Sequence, residues 1–200
     1  MGKVAVFTDI HGRLDALLNL LDQVPKGARL VFLGDYVDRG TQSAEVVALV
    51  RSLQLDGAVC LRGNHEDMMV GNVDMWLANG GAATVASYRD PLTGDMNHDL
   101  MKEHCFWFTC LPRIRSDRHR VYVHAAVDNR YDLDEQPEAT TQWARYPNGA
   151  DVGYRGKHVV HGHTPGIVQL SQRTCLDGGK VLTCGIFDDD VPGGPVELLT

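Results

Sequence analysis

The chain has 200 residues, of which 44 % are hydrophobic and 22 % charged, and a formal net charge of -7. That length suits one domain able to bury roughly 70 % of the surface its unfolded form exposes. The composition is that of a globular protein and excludes a disordered one. The negative charge excludes a general nucleic-acid binder held by phosphate neutralisation, and no run approaches the ~20 apolar residues of a membrane-spanning helix.

Carboxylates at a metal site count as bare in a sequence tally, so part of this acidity is what a protein holding divalent cations would show. The five cysteines, Cys60, Cys105, Cys110, Cys175 and Cys184, form no Cys-x-x-Cys pair. Their odd number does not resemble a disulfide framework, and reduced thiols in the cytoplasm are expected. The first apolar run ends at Asp9 and lacks the long core of a signal peptide.

Val4 to Phe7 is a continuous apolar run, the pattern of a strand covered on both faces. Asp9 and His11 follow on the loop at its carboxyl end. From Arg13 to Val24, Leu14, Leu17, Leu18 and Leu21 recur at helical spacing until Pro25 and Gly27 stop the helix. Arg29 to Leu33 reads as a second strand, followed by the Gly34 to Gly40 loop. Thr41 or Ser43 is placed to cap a helix carrying Val46, Val47, Leu49, Val50 and Leu53. Ala58 to Leu61 makes a third strand that delivers Asn64 and His65. This β-α-β-α-β order implies parallel strands with right-handed crossovers, and ligands bind beyond the carboxyl ends of such strands.

Residues 66–108 read as helical and irregular, with a break at Gly80-Gly81 and a turn at Pro91 to Gly94. The segment is placed as a cap beside the site, while Met68, Met69, Met75 and Trp76 at helical spacing read as core. Beyond Pro112 the pattern changes to short strands at Arg113 to Arg115, Val121 to His124, Lys157 to His161 and Lys180 to Phe187. The expected fold is α/β, with two stacked mixed β-sheets flanked by helices in an α-β-β-α sandwich. Nothing marks a domain boundary, so residues 1–200 are read as one domain.

Read alone, Asp9 or Asp35 is a helix cap or turn residue. Two such loops ending in His and Arg, beside a third offering Asn and His, point instead to metal ligation. The runs Asp9-Ile10-His11-Gly12, Gly34-Asp35-Tyr36-Val37-Asp38-Arg39-Gly40 and Gly63-Asn64-His65-Glu66, then His124 after a strand, then Gly162-His163-Thr164, occur in that order. Together they resemble the calcineurin-like metallophosphoesterases, and in particular the compact bacterial and phage branch of the phosphoprotein phosphatases. The resemblance spans residues 4–165. Two departures stand out: Thr8 occupies a position where glycine usually precedes the first Asp, and Ala125-Ala126 follows His124 where Ala-Gly is usual. Both bear on loop geometry and metal affinity.

The resemblance implies two divalent cations. One is assigned to Asp9, His11 and Asp35, the other to Asp35, Asn64, His124 and His163, with Asp35 bridging. Two cations ~3.5–4 Å apart need an anion between them. Mixed oxygen and imidazole donors favour Mn, Fe or Zn over Mg, and Mn is the expected ion in vitro. His65 is implied as the general acid, oriented by Asp38, and Arg39, Arg62 and Arg145 as clamps for phosphate oxygens. For Arg145, carried by Trp143-Ala144-Arg145, a surface salt bridge remains open. His161 reads as a strand residue behind the ligand His163, and His98, His104, His119 and His158 as residues of core or surface.

The implied reaction is hydrolysis of a phosphomonoester by in-line attack of a metal-bound hydroxide, with no covalent phosphoenzyme. The expected substrates are phosphoserine, phosphothreonine or phosphotyrosine in proteins, with no nucleic-acid or membrane partner. A symmetrical bis(5'-nucleosyl)-tetraphosphate hydrolase shares the same motifs and is the alternative within the enzyme class. A non-catalytic binding module on the same fold is the alternative outside it.

Overall fold

The computed structural model describes residues 2–200. The first half of the chain forms β1 (Lys3–Phe7), α1 (Leu14–Gln23), β2 (Arg29–Phe32), α2 (Ser43–Leu55), β3 (Val59–Cys60), α3 (Asn64–Gly71), α4 (Val73–Trp76), α5 (Ala82–Ser87) and α6 (His98–Cys110). The second half forms β4 (Ile114–Ser116), β5 (Arg120–Val123), α7 (Glu138–Trp143), β6 (His158–His161), β7 (Val168–Gln169), β8 (Arg173–Cys175), β9 (Cys184–Asp188) and β10 (Glu197–Leu199).

Two five-stranded sheets result, in the orders β10-β9-β1-β2-β3 and β4-β5-β6-β8-β7. β1, β2 and β3 run parallel, with Val6 opposite Val31 and Val31 opposite Val59, while β9 joins β1 antiparallel. In the second sheet β5, β6 and β8 are parallel and the edges β4 and β7 antiparallel. Both sheets are mixed, as expected.

Strand alternation sorts the core into layers. Val4 and Val6 meet Val31, Tyr122, Val160 and Phe187 between the sheets. Ala5, Phe7 and Phe32 face the opposite way, against Leu17 and Leu20 of α1 and Val46, Val47 and Val50 of α2. Outside the second sheet, Val121, Val123 and Val159 pack with Val127 and Tyr154. That face is covered by the 124–157 connection with its short α7, so the second helical layer is thinner than the first.

Details of the first half differ from the sequence expectation. Gln42, not Thr41 or Ser43, precedes α2, without a side-chain cap; the Ser43 hydroxyl instead accepts the Asp38 N–H at 3.2 Å. Met68, Met69 and Trp76 are buried, but Met75 is 40 % exposed. The reason is a phase break: α3 ends at Gly71, and Asn72 starts α4 by accepting the Met75 N–H at 3.0 Å. Helical spacing counted across that break puts Met75 on the wrong face. The expected break at Gly80-Gly81 is present as a kink, with Gly80 at φ 107°.

α5 and α6 are tied together by the Tyr88 hydroxyl, which lies 2.6 Å from His104 Nδ1. Burial pushes the His104 imidazole down to about 4. A histidine depressed in the folded state contributes stability that is full above its ordinary value near 6.5 and is lost as pH falls towards 4. His104→Gln is therefore expected to flatten the fall in urea-unfolding stability between pH 6.5 and 4. Equal slopes for variant and parent would show that His104 does not titrate this way.

Candidate metal centre and phosphate cleft

Loops at the carboxyl ends of five strands converge. β1 delivers Asp9 and His11, β2 Asp35, Asp38 and Arg39, β3 Asn64 and His65, β5 His124, and β6 His163. Asp9, His11, Asp35, Asp38, Arg39 and His163 all have positive φ, between 48° and 75°, and Arg155 is the one further such non-glycine residue among those described. Each costs roughly 1 kcal/mol or more. Backbone bonds hold them: His11 N–H donates to the Asp35 carbonyl at 2.8 Å, Gly12 N–H to Tyr36 at 2.9 Å, and Gly162 N–H to His124 at 2.9 Å. Gly63 is required by close approach, since a Cβ there would lie 2.2 Å from Asp35 Oδ1.

Donor atoms fall into two sets, His11, Asp35 and His65 in one and Asp9, Asp35 and His124 in the other, and within each set they lie within 4.8 Å of one another. Asp35 belongs to both. His11 Nε2 is 3.6 Å from Asp35 Oδ2 and 4.0 Å from Asp9 Oδ1, and His124 Nε2 is 3.5 Å from Asp35 Oδ1.

The far nitrogens of three imidazoles are each committed to a backbone carbonyl. His11 Nδ1 donates to Val37 at 2.8 Å, His124 Nδ1 to Leu33 at 3.1 Å, and His163 Nε2 to Trp143 at 3.2 Å. That fixes the tautomer and turns an unprotonated nitrogen inward, the arrangement metal-ligating histidines adopt. His11 Nε2 is buried without a hydrogen-bond partner. His124 Nε2 and His163 Nδ1 stand 2.8 and 3.0 Å from Asn64 Oδ1, lone pairs facing a lone pair. Cations among these atoms would satisfy the orphan and remove that conflict, so the residues present fit a metal centre.

The electrostatics agree. Burial pushes the Asp9 carboxyl up to about 7, with Asp35 and Asp177 adding to the shift against His124. Burial also acts upward on Asp35, but His124, His65 and His11 outweigh it and hold that carboxyl below its ordinary range. Burial depresses His11 to about 3 and His163 to about 4. The buried Asp9 carboxyl, beside His11 and His163 imidazoles that resist protonation, lacks positive charge, which divalent cations supply.

His65 differs from the other imidazoles. Its Nδ1 donates to Asp38 Oδ2 at 2.6 Å, and its Nε2 accepts from Arg39 Nη2 at 3.1 Å. Burial acts downward on His65, but Asp35 and Asp38 outweigh it and raise its pKa. The other Asp38 oxygen accepts from Trp76 Nε1 and from the Thr84 hydroxyl, both at 2.7 Å.

Glu66 completes the frame. Its buried carboxylate accepts the N–H groups of Asp35 at 2.8 Å, Tyr36 at 2.7 Å, Val37 at 3.3 Å and Gly63 at 2.9 Å. It therefore locks the β2 loop to the start of α3. Glu66→Ala leaves these donors without an acceptor and is expected to cost at least ~3 kcal/mol in urea unfolding. A cost under about 1 kcal/mol would contradict the anchoring role.

A cleft of about 320 Å³ opens over Asp9, Asp35, Asn64, His65 and His163. Its rim carries Arg39, Asn79, Trp143 and Arg145. Arg62 is not among its lining residues: its Nε lies 2.7 Å from Asp67 Oδ1, and its Nη1 donates to the Phe108 carbonyl at 3.3 Å. His161, the last residue of β6, is buried and accepts from Arg173 Nη1 at 2.9 Å. His104 and His158 are buried in other hydrogen bonds, to Tyr88 and to Thr174.

The family description "Calcineurin-like phosphoesterase" matches residues 2–190. The chain belongs to this family. Solved structures share the phosphoesterase fold over most of its length. One is a candidate diadenosine tetraphosphatase, 24 % identical, covering 99 % of this chain and 93 % of that one, with a TM-score of 0.68. A cold-active protein tyrosine phosphatase of a psychrophilic Shewanella is 18 % identical, covers 95 % and 76 %, and has a TM-score of 0.68. A protein serine/threonine phosphatase from Saccharomyces cerevisiae is 17 % identical, covers 87 % and 66 %, and has a TM-score of 0.60. The chain is thus a phosphoesterase of a family that implies divalent metal ions, and its donor cluster offers candidate groups to hold them.

In this phosphoesterase, Glu66, Trp76 and Thr84 carry supporting roles that the sequence alone does not assign. Glu66 stood in a quoted motif, and its place three residues after Gly63 at a helix start is the spacing at which a carboxylate reaches back to the N-cap N–H. Trp76 and Thr84 lie on a separate segment, and no local spacing connects them to Asp38.

Proposed function

We propose that this phosphoesterase is a dinuclear phosphomonoester hydrolase acting on phosphoserine and phosphothreonine in proteins, and also on phosphotyrosine. The observation that carries the reading is Asp35, which shares one donor set with His11 and His65 and another with Asp9 and His124 at the foot of a cleft, with His65 also bound to Asp38. Asp9, His11 and Asp35 would hold one ion, and Asp35, Asn64, His124 and His163 the other, with Mn the expected ion in vitro and Fe or Zn alternatives. When bound, two such ions supply Lewis-acid stabilisation of phosphoryl oxygens and activation of water.

The chain's own residues do the rest. Arg39 and Arg145 orient phosphate from the rim. As phosphate draws the Arg39 guanidinium away, His65 Nε2 is freed to hold the proton it passes to the leaving oxygen. Asp38 Oδ2 keeps the Nδ1–H and supports the imidazolium. Arg39 on His65 Nε2 also argues against His65 as a ligand, since a cation there would face a guanidinium. The 66–108 segment acts as a wall controlling access, through Asn79 on the rim and the Trp76 and Thr84 bonds to Asp38. Trp143 on the rim of the cleft of about 320 Å³ offers a phosphorylated side chain an aromatic surface. All five cysteines are free, which fits a reducing compartment such as the cytoplasm.

The test is phosphate release after stripping metal and restoring Mn²⁺, with p-nitrophenyl phosphate, phosphoserine, phosphothreonine and phosphotyrosine peptides, and diadenosine tetraphosphate. Metal-dependent turnover favouring the peptides is expected. A strong preference for the dinucleotide would move the function to nucleotide metabolism, and no release from folded protein would make the chain a binding module.

A further inference from the structure

Thr8 sits where β1 ends, 2 % exposed, in contact with the first expected ligand. Its hydroxyl donates to Asp9 Oδ2 at 2.6 Å, and the His163 N–H donates to the same oxygen at 3.1 Å. One carboxylate oxygen is thereby saturated by two protein donors. The other, Oδ1, lies 4.0 Å from His11 Nε2 and remains free to ligate. The Asp9 peptide is fixed as well, at φ 51° with its carbonyl held by Arg13 Nη2.

The space around the hydroxyl is fitted to it. A Cβ on Gly162 would lie 2.0 Å from Thr8 Oγ1 and 2.2 Å from Asp9 Oδ2. Glycine immediately after the end of β6 thus leaves the room that the threonine and carboxylate fill. Because Oδ2 also receives the backbone N–H of His163, the same oxygen ties Asp9, proposed as a ligand of one ion, to His163, proposed as a ligand of the other.

We infer that Thr8 is a positioning residue of the metal centre, holding Asp9 as a one-oxygen ligand and thereby setting the affinity of the ion at Asp9 and His11. The inference rests on the dinuclear reading of the site. A threonine that only fills space would act through its methyl and volume, which valine reproduces. A positioning threonine acts through its hydroxyl, which serine reproduces. Hydrogen-bond partners of ligating groups change metal affinity about 10–100-fold when removed.

The experiment is calorimetric titration of Mn²⁺ into metal-stripped full-length protein, for the parent and for Thr8→Val, Thr8→Ala and Thr8→Ser, with circular dichroism confirming that each metal-free form is folded. The parent is expected to bind two ions. Thr8→Val and Thr8→Ala are expected to bind one of the two about tenfold or more weakly, and Thr8→Ser to stay within about threefold of the parent. Thr8→Ala adds no bulk and carries the comparison with Thr8→Ser if Thr8→Val does not fold. Parent-like affinity for both ions in the variants lacking the hydroxyl overturns the inference while leaving the dinuclear reading intact. A serine variant as weak as alanine also overturns it, because packing would then be the cause. A parent that binds no ion, or one, defeats the dinuclear reading itself, and the inference with it.

Discussion

His65→Asn is expected to leave metal binding largely intact while lowering kcat on phosphoserine peptides by about 10²–10⁴-fold, the range a positioned general acid contributes. On p-nitrophenyl phosphate the loss should be much smaller, because a good leaving group departs without a proton. The asymmetry follows from the geometry. His65 Nδ1 is committed to Asp38 at 2.6 Å, so Nε2 is the nitrogen available for proton transfer. Asp38→Asn should show the same leaving-group pattern, since an amide supports the imidazolium less well. Equal losses on both substrates would remove His65 from the acid role.

Asp35→Asn should be more damaging, lowering activity on every substrate by at least about 10³-fold. Asp35 is the residue common to both donor sets, and two nearby divalent cations need anionic charge between them. The amide supplies oxygen without charge. The metal content of the purified variant, measured by elemental analysis, should fall from two ions to one or none. Parent-like content with two retained ions would contradict the bridge. The neighbouring backbone should survive, because Glu66 accepts the residue 35 N–H whichever side chain is present.

What could be read from the sequence divides along a physical line. The convergence of Asp9, His11, Asp35, Asn64, His65, His124 and His163 was readable because each follows a strand closely, and parallel strands send such loops to the same edge. The apolar runs of β1, β2, β5 and β6 were readable because strands buried on both faces cannot carry exposed polar residues. β8 was not: Arg173, Thr174 and Cys175 are all buried, but the arginine and threonine are satisfied by hydrogen bonds that no pattern of hydropathy announces. α7, with six residues, is too short for periodicity, although it brings Trp143 to the His163 ring. Met75 misled because one residue, Asn72, shifts the helical phase. Trp76 and Thr84 support Asp38 only through tertiary packing, across sequence separations of 38 and 46 residues.

The central claim is that these loops hold two ions against Asp35, with His65 beside them as an acid. Crystals grown with Mn²⁺ and phosphate, measured at the manganese absorption edge, test it directly. Two anomalous peaks are expected, both in contact with the Asp35 carboxylate, with phosphate held by Arg39 and the His65 imidazole bound to neither ion. A single peak, none, or an ion ligated by His65 would contradict it.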